Sequence, residues 1–315
     1  GSAYKNMCAE RFEEEARKTG KPFRIVYLTN VGGSYNMLGE TLRLTREVLL
    51  EVSDFRRENC PLSALTLGVK CGTSDATSGI AGNPCVGAAF DQLIRAGGTA
   101  FFSETTEIIG AEDLVAKRAV NESVAKKILS AAKHWEDKAK ATGEDIRKIN
   151  PIPANIAAGI SSLEEKSLGA IAKSGTSPIQ DVLKYAEMPK GSGLYFVDSW
   201  MSSLSLPLCL TACGATIMLY QMGGGKIAQH PMMPSINPTV VSPFLYLTGN
   251  AIAYSRAPDN FDFDASPIMT EGASIPEMGT KLLEHLSAIA SGTMTKMETL
   301  NYAEQLELYM EGPVL

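Results

Sequence analysis

Residues 64–98 read ALTLGVKCGTSDATSGIAGNPCVGAAFDQLIRAGG, and this stretch decides the fold. It opens with a short apolar run, ALTLGVK, which predicts a buried strand. The following CGTSDATSGIAG is dense in glycine, hydroxyl and acidic residues and has neither strand nor helix periodicity. NPCVGAAFDQLIRAGG then predicts a helix that ends at its glycines. The stretch therefore predicts a strand, a polar loop and a helix, which is the first part of a βαβ unit.

The same rhythm extends on both sides of this stretch. Further strands are predicted at FRIVYLT, TAFFS, GLYFVDS and TIMLYQ, and long helices from about Tyr35 to Arg57 and from about Asn121 to Ala141. This alternation predicts an α/β fold, three-layer α/β/α with a mainly parallel sheet. In such sheets ligands bind at the carboxyl ends of strands, so the loops NVGGS, CGTSDATSG and ETTE are candidate site segments.

The domain organisation is predicted from the same pattern. We expect one catalytic-type domain over residues 4–315, or two lobes, 4–149 and 150–315, that meet at the proline- and glycine-rich NPIPANIAAG. The first three residues, GSA, have the composition of a tag remnant. Ser161 and Glu164 have capping-box spacing, which predicts a helix start at Ser161.

Composition excludes several classes of partner. The 315-residue chain has a net charge of −6 and a pI near 5.3, with no basic stripe, so no nucleic-acid partner is expected. No apolar run reaches membrane-spanning length, so no membrane partner is expected either. The six cysteines form no CxxC pair, which in a chain of this size indicates reduced thiols and a cytoplasmic setting.

Several motifs, in order along the chain, carry a family resemblance. They are CGTSDATSGIAGNPCVG, RAGGTAFFSETTEIIGAEDL, RAVNE, NPIPANIAAGISSLEEKSLG, KSG and MGTKLLEHLSAIASG. Together they resemble the carboxyl-terminal catalytic region of the D-galactarate dehydratase and altronate dehydratase family, which includes the large subunit of sulfolactate sulfo-lyase. The resemblance covers almost the whole chain from about Arg24. Longer members of the family have a further upstream segment, which this sequence is expected to lack.

The resemblance implies a reaction with two alternatives. A sugar-acid dehydratase removes the proton α to a carboxylate and expels the β-hydroxyl, which yields a 2-keto-3-deoxy acid. The first alternative is a carbon–sulfur lyase that expels sulfite from a sulfolactate-like acid. The second is a non-catalytic binding or assembly subunit, because the family carries a lysine at Ile156 and an arginine in the turn 222–225. The resemblance also implies a divalent metal, Fe²⁺ or Mn²⁺.

Four residues are candidates for catalysis and three for metal binding. Candidate catalytic residues are Asp75, Ser74, Lys166 and Glu165, and candidate metal ligands are Cys71, Glu104 and Glu107. Glu104 and Glu107 lie three apart just past a predicted strand, where carboxylates suit a divalent cation or favour a helix N-terminus. Lys166 is a candidate base or carboxylate partner, although charged triplets of this kind commonly form a solvated helix face. The loop hydroxyls around Asp75 have a structural alternative too, since they can satisfy their own backbone.

The remaining predictions concern substrate and partners. Candidate substrate-binding residues are Ser78, Asn83, Asn155, Gly224, Gly225 and Lys226, the glycines by bringing backbone N–H groups to an anion. The substrate expected is a small anionic hydroxy acid. A homo-oligomer is expected, and also a small partner subunit or an upstream domain.

Overall fold

Seven strands form a single sheet in the computed structural model, which describes residues 9–224, 236–239, 241–302 and 307. The strand order is β3-β4-β2-β1-β5-β6-β7, and every neighbouring pair is parallel. The strands are β1 Thr66–Gly72, β2 Thr99–Phe102, β3 Ile179–Leu183, β4 Gly193–Val197, β5 Ile217–Met222, β6 Phe244–Thr248 and β7 Phe263–Asp264. Because all seven run in one direction, their carboxyl ends share one edge of the sheet.

Two apolar cores cover the two faces of the sheet. Successive side chains of a strand point to opposite faces, so Leu67 and Val69 of β1 pack in one core, and Met218 and Tyr220 of β5 pack in the other. Three long helices cover the first face, and shorter helices near residues 205–212, 251–256 and 296–299 cover the second. The predicted three-layer α/β/α architecture with a parallel sheet is confirmed.

The helices are bounded largely where local signals place them. They are α1 Ala9–Thr19, α2 Ser34–Ser53, α3 Asn83–Arg95, α4 Glu112–Ala116, α5 Glu122–Ala141, α6 Ile146–Ile149, α7 Pro153–Ala157, α8 Leu163–Ile171, α9 Ser205–Ala212, α10 Ala251–Arg256, α11 Pro267–Thr270, α12 Ile275–Ala290 and α13 Lys296–Thr299. The side chain of Asn121 accepts a hydrogen bond from Val124 N at the start of α5, and Ser274 accepts one from Glu277 N at the start of α12. A π-helical turn, Ser78–Gly82, precedes α3 directly.

By its internal contacts the chain divides into two compact units, Gly1–Asn59 and Cys60–Leu315. The described part of the first unit contains α1 and α2, and the second contains the whole sheet. Within that sheet, strands from before and after residue 150 alternate, since β1 and β2 lie between β4 and β5. The boundary between the units therefore lies at residues 59 and 60, and strand pairing joins both sides of residue 150.

Two local predictions are wrong. FRIVYLT, residues 23–29, forms no strand, and NVGGS consequently follows none. A β-branched and aromatic run becomes a strand only when a neighbouring strand satisfies its backbone groups, and no strand is described in residues 9–59. In the other direction, β3, β6 and β7 form where no strand was predicted.

Two further findings concern the described chain as a whole. None of its helices combines the length and hydropathy needed to cross a membrane. Its five described cysteines are free thiols, namely Cys60, Cys71, Cys85, Cys209 and Cys213.

Candidate active site

Polar side chains collect at the carboxyl edge of the sheet, around the ends of β1, β2, β5 and β6. The chain reverses its direction of travel across the sheet between β2 and β5, which flank β1 on opposite sides. Such a reversal opens a crevice at the carboxyl ends of the central strands. Glu104 follows β2, Asp75 follows β1, Gly223 follows β5 and Asn250 follows β6. The parallel topology thus brings together segments that lie up to 175 residues apart.

Glu104 is the centre of a buried ion-pair cluster. Its side chain is fully buried, and its Oε1 lies 3.2 Å from Lys70 Nζ. Its Oε2 accepts a 2.9 Å hydrogen bond from the backbone N of Cys71 and also contacts Lys173 Nζ. The backbone of Glu104 is left-handed, with φ of 74°, a conformation that is costly outside glycine and is found disproportionately at functional sites.

Glu107 and Cys71 complete this cluster. Lys173 Nζ lies 2.9 Å from Glu107 Oε2, so its ammonium contacts both glutamates. The thiol of Cys71 donates toward Glu107, with Sγ 3.1 Å from Oε2. Burial would raise the pKa of Glu107, but Lys173, Lys166 and Lys70 outweigh it and the pKa is lowered. Burial, with help from Glu104 and Glu107, raises the pKa of the Cys71 thiol, which therefore stays protonated near neutral pH.

The three predicted metal ligands do lie together, and their donor atoms are all within 4.8 Å of one another. The charges around them, however, are already matched. Glu104 and Glu107 supply two negative charges, and Lys70 and Lys173 supply two positive charges in the same buried volume. Burial lowers the pKa of Lys70 and Glu104 raises it, and the net change is a rise. The pKa of Lys173 is raised as well, and both lysines therefore stay charged. In this arrangement the trio does not fit a divalent ion, because the ion would have to displace the ammonium of Lys173.

Asp75 lies at the start of the helical turn that leads into α3. Its Oδ1 accepts hydrogen bonds from Ser78 N at 3.0 Å and from Thr77 Oγ1 at 2.7 Å. Its Oδ2 accepts a 2.9 Å bond from Nδ2 of Asn250, which follows β6. A Cβ on Gly223 would stand 2.7 Å from the Asp75 carboxylate carbon, so β5 can approach this carboxylate only with glycine there. Asp75 therefore both caps a helix start and links two strand ends.

Lys166 projects from the first turn of α8. The helix cap is Ser162, which accepts from Glu165 N at 3.2 Å, so the predicted start at Ser161 is one residue early. Lys166 Nζ donates to Asn150 Oδ1 at 2.7 Å and to Asn155 Oδ1 at 3.0 Å. Within the described residues no carboxylate lies within ion-pair distance of this ammonium, although the side chain is buried. Amide oxygens orient its charge without neutralising it.

A cavity of about 270 Å³ adjoins both Asp75 and Lys166. Its polar lining comprises Ser74, Asp75, Ser78, Asn83, Glu165 and Lys166. Asn83 is 1% exposed, donates from Nδ2 to Gly169 O, and has an Oδ1 atom with no hydrogen-bond partner. A buried amide oxygen without a partner is costly.

Comparison with known proteins shows the family of this chain. The family described as "D-galactarate/Altronate dehydratase, C-terminal" matches residues 62–313, which contain the whole sheet and every residue of the cavity wall. The chain belongs to this family. The match begins three residues after the boundary between the two compact units at 59 and 60.

Curated relatives of the galactarate/altronate dehydratase family cover more than one reaction. The chain is 33% identical over 292 residues to the (2R)-sulfolactate sulfo-lyase subunit beta of Chromohalobacter salexigens, covering 91% of this chain and 72% of that protein. It is 34% identical over 283 residues to the galactarate dehydratase (L-threo-forming) of Escherichia coli, covering 90% and 52%. It is 33% identical over 272 residues to the altronate dehydratase of Bacillus subtilis, covering 86% and 52%. The chain thus spans about half the length of the dehydratases that it matches.

The structure places most of the predicted site residues of this family member near one another. Ser74, Asp75, Ser78, Asn83, Glu165 and Lys166 share the cavity wall, and Asn155 donates to Ser74 O and accepts from Lys166. The exposed carboxylate of Glu165 accepts from Ser161 N, which is a capping contact. Gly224 lies close to α10, with the Cβ position 2.7 Å from Ala253 Cβ. Gly225 and Lys226 lie outside the described residues.

Three functional neighbours were missed by the sequence prediction: Lys70, Lys173 and Asn250. Lys70 had a usable signal, because it is a charged residue inside an otherwise apolar strand and such a residue must be paired when buried. Lys173 lies in KSG, one of the motifs of the family resemblance, which was a usable signal. Asn250 had none, since an asparagine after a glycine is common on surfaces. Their contacts with Glu104 and Asp75 depend on the tertiary arrangement of strand ends.

Proposed function

We propose that this protein is a lyase that dehydrates a sugar acid, an aldonate or an aldarate, to a 2-keto-3-deoxy acid. One observation carries the proposal: the buried ammonium of Lys166 lies in the wall of a polar cavity and is held there by amide oxygens instead of carboxylates. An acid substrate would supply a carboxylate at ion-pair distance from it. Family membership supports the same reaction class.

The chemistry assigns a role to the cation. Removal of the α-proton moves negative charge onto the substrate carboxylate, and an ammonium fixed beside it stabilises that charge most strongly as it develops. Lys166 is suited to this role because an ammonium has three N–H donors, so that one remains for the substrate while Asn150 and Asn155 accept the other two.

The other polar groups divide the remaining tasks. Asp75 is the buried carboxylate of the cavity wall, and we assign proton transfer to it. Ser74, Ser78 and Asn83 line the same cavity, and we assign to them the binding of further substrate oxygens. The β-hydroxyl leaves with a proton as water, and the resulting enol tautomerises to the 2-keto acid. No step is assigned to a metal.

The proposal is tested by assaying the full-length protein with a panel of aldonates and aldarates for 2-keto acid formation. Lys166→Met should lower kcat/KM at least 100-fold, equivalent to about 3 kcal/mol of transition-state stabilisation. Lys133→Met is the matched control, because Lys133 is an exposed residue of α5 that pairs with Asp137 at i+4, and it should leave kcat/KM unchanged. Normal turnover by folded Lys166→Met would contradict the role of this cation.

A second candidate function is carbon–sulfur lysis of a sulfolactate-like acid. It is favoured by coverage, since the chain matches 72% of the sulfolactate sulfo-lyase subunit beta but only about half of each dehydratase. Both reactions begin with proton abstraction α to a carboxylate, and they differ in the leaving group. Sulfite release in the same panel, without dehydration, would select this reaction, and it would also make a partner subunit the expectation.

The Fe²⁺ or Mn²⁺ that the resemblance implied stays a prediction, as do a homo-oligomeric state and the cytoplasmic setting. Metal analysis of anaerobically purified full-length protein tests the first, and light scattering tests the second. Absence of turnover with every acid, by a folded protein of full length, would favour the non-catalytic subunit.

A further inference from the structure

We propose that the ammonium of Lys173 is the resident cation of the Cys71–Glu104–Glu107 trio, and that the trio binds a divalent metal only when this ammonium is removed. The three donor atoms lie close enough to hold one ion. The ammonium groups of Lys70 and Lys173 nevertheless already pair with the two carboxylates of the trio. No side chain of this cluster is more than about 6% exposed.

The position of Lys173 carries the first step. Its Nζ contacts Glu104 Oε2 and lies 2.9 Å from Glu107 Oε2, so it occupies the place between two carboxylates that a bridging ion would need. The ammonium of Lys70 pairs with the other oxygen of Glu104, Oε1, at 3.2 Å. Each carboxylate therefore already has a cation, and a divalent ion added beside them would meet two ammonium groups at short range.

Hydrogen bonds from Arg118 and to Asp91 hold residues 174–177, which follow Lys173 directly. Arg118 donates to Ser174 Oγ at 2.8 Å and to the backbone oxygens of Ser174 and Ser177. Asp91 accepts from the backbone N of Thr176 and of Ser177, each at 2.9–3.0 Å, and from both hydroxyls. These contacts fix the backbone next to Lys173, from which its side chain reaches the two glutamates.

Cys71 adds a further barrier to metal binding. Its thiol donates to both oxygens of Glu107, with Sγ at 3.1 and 3.3 Å. A metal would have to break this contact in addition to displacing Lys173. Removal of the Lys173 ammonium changes the balance, because two carboxylates would then face one ammonium with three donor atoms still within 4.8 Å. That arrangement has the charge and the mixed oxygen–sulfur ligands that borderline divalent ions accept.

The first test compares the full chain with Cys71→Ser after prolonged dialysis against Co²⁺. Cobalt bound to a thiolate gives a sulfur-to-metal charge-transfer absorption, so the difference between the two proteins reports on Cys71 alone. We expect no difference spectrum, because Lys173 fills the trio. A Cys71-dependent band with about one Co²⁺ per chain would overturn the proposal, and this comparison needs no Lys173 variant.

The second test uses Lys173→Met, which removes the ammonium and keeps an apolar stem of similar length. We expect a Cys71-dependent cobalt band in this variant, lost again in Lys173→Met/Cys71→Ser, and a Tm that rises on addition of Co²⁺. Lys70→Met is the charge-matched control, since it removes one charge from the same cluster but leaves Lys173 between the carboxylates, and it should show no band. A folded Lys173→Met without the band, or an equal band in Lys70→Met, would overturn the inference. Both readouts measure metal binding, so they are independent of which acid, if any, is turned over.

Discussion

Asp75 binds two parts of the molecule through its two oxygens. Oδ1 accepts from Thr77 and Ser78 at the start of its own helical turn, and Oδ2 accepts from Asn250 at the end of β6. The first set of contacts is that of a helix cap, and the second places a carboxylate in the wall of the cavity. A single substitution separates the two roles.

Asp75→Asn should keep the fold and lower turnover by two orders of magnitude or more, about 3 kcal/mol of transition-state stabilisation. The asparagine oxygen can still accept from Ser78, but the residue cannot transfer a proton. Tm and kcat of the full-length protein are the two measurements. Ser274→Ala is the control, because Ser274 caps α12 away from the cavity; it should lose about 1 kcal/mol of stability without a change in kcat. A lower Tm with near-normal kcat in Asp75→Asn would show that Asp75 only caps the helix and has no catalytic role.

Glu104 is the centre of the buried charge cluster. It accepts from Lys70, Lys173 and the backbone of Cys71, and it does so from a left-handed backbone conformation. Glu104→Gln should lower the free energy of unfolding by about 3–5 kcal/mol, because it leaves two buried ammonium groups with one carboxylate. Urea unfolding followed by circular dichroism measures this.

Glu122→Gln is the matched control for that substitution. Glu122 pairs with Lys126 on the exposed face of α5, where such pairs contribute about 0.5 kcal/mol or less. A loss in Glu104→Gln no larger than in this control would mean that the cluster is not held by its charges.

At the scale of elements, α3 and the turn after α8 are packed at the limit of contact. A Cβ on Gly87 of α3 would overlap Ala172 O and stand 2.8 Å from Gly175 N. Ala172 and Gly175 lie on either side of Lys173. The close contact between their backbone and that of Gly87 therefore fixes the position of Lys173 relative to Cys71, Glu104 and Glu107. Glycine at position 87 is therefore a packing requirement, since Gly87 lies within a regular helix.

Gly87→Ala should destabilise the protein by about 1–3 kcal/mol, because the turn must move to make room for the methyl group. Gly39→Ala is the control: Gly39 lies in α2, has ordinary helical backbone and has nothing within 4 Å of its Cβ position, so the change should be neutral or stabilising by up to about 1 kcal/mol. Equal Tm values for both variants and the parent would contradict this prediction, because they would show that the turn moves without any loss of stability.

At the scale of the whole molecule, Asp262 links distant parts of the chain. It accepts from the backbone N of Tyr246 in β6 at 2.9 Å and of Lys296 at the start of α13 at 2.7 Å. Burial raises the pKa of Asp262 to about 6, although these two N–H groups and the Lys296 charge favour its ionised form; Glu298 opposes them.

This raised pKa predicts a pH dependence of global stability. The folded state binds the proton of Asp262 more tightly than the unfolded state, whose pKa is near 3.8. The contribution is therefore complete below about pH 4 and is lost as the pH rises through about 6. Relative to Asp262→Asn, the parent protein should lose on the order of 2 kcal/mol of unfolding free energy between about pH 4 and pH 7. Urea unfolding at both pH values measures it, and parallel pH profiles would contradict it.

Local sequence determined the layered fold and much of the site. Residues 64–98 predicted β1, the polar loop and α3, because a buried parallel strand is a continuous apolar run and a helix ends at glycine. The loop also identified the cavity residues Ser74, Asp75, Ser78 and Asn83, since ligand sites of parallel sheets lie at strand ends.

Tertiary structure alone decided which charges meet and which apolar runs become strands. FRIVYLT has the composition of a strand but no partner strand, whereas Phe263–Asp264 pairs with β6 despite its length of two residues. Glu104 and Glu107 were predicted as metal ligands from their spacing, and the fold places Lys173 between them from a position 66 residues or more away in sequence. Spacing within one segment reports which side chains share a face. The lysines that pair with these carboxylates come from other segments, and strand order brings those segments together. A local sequence pattern does not encode strand order.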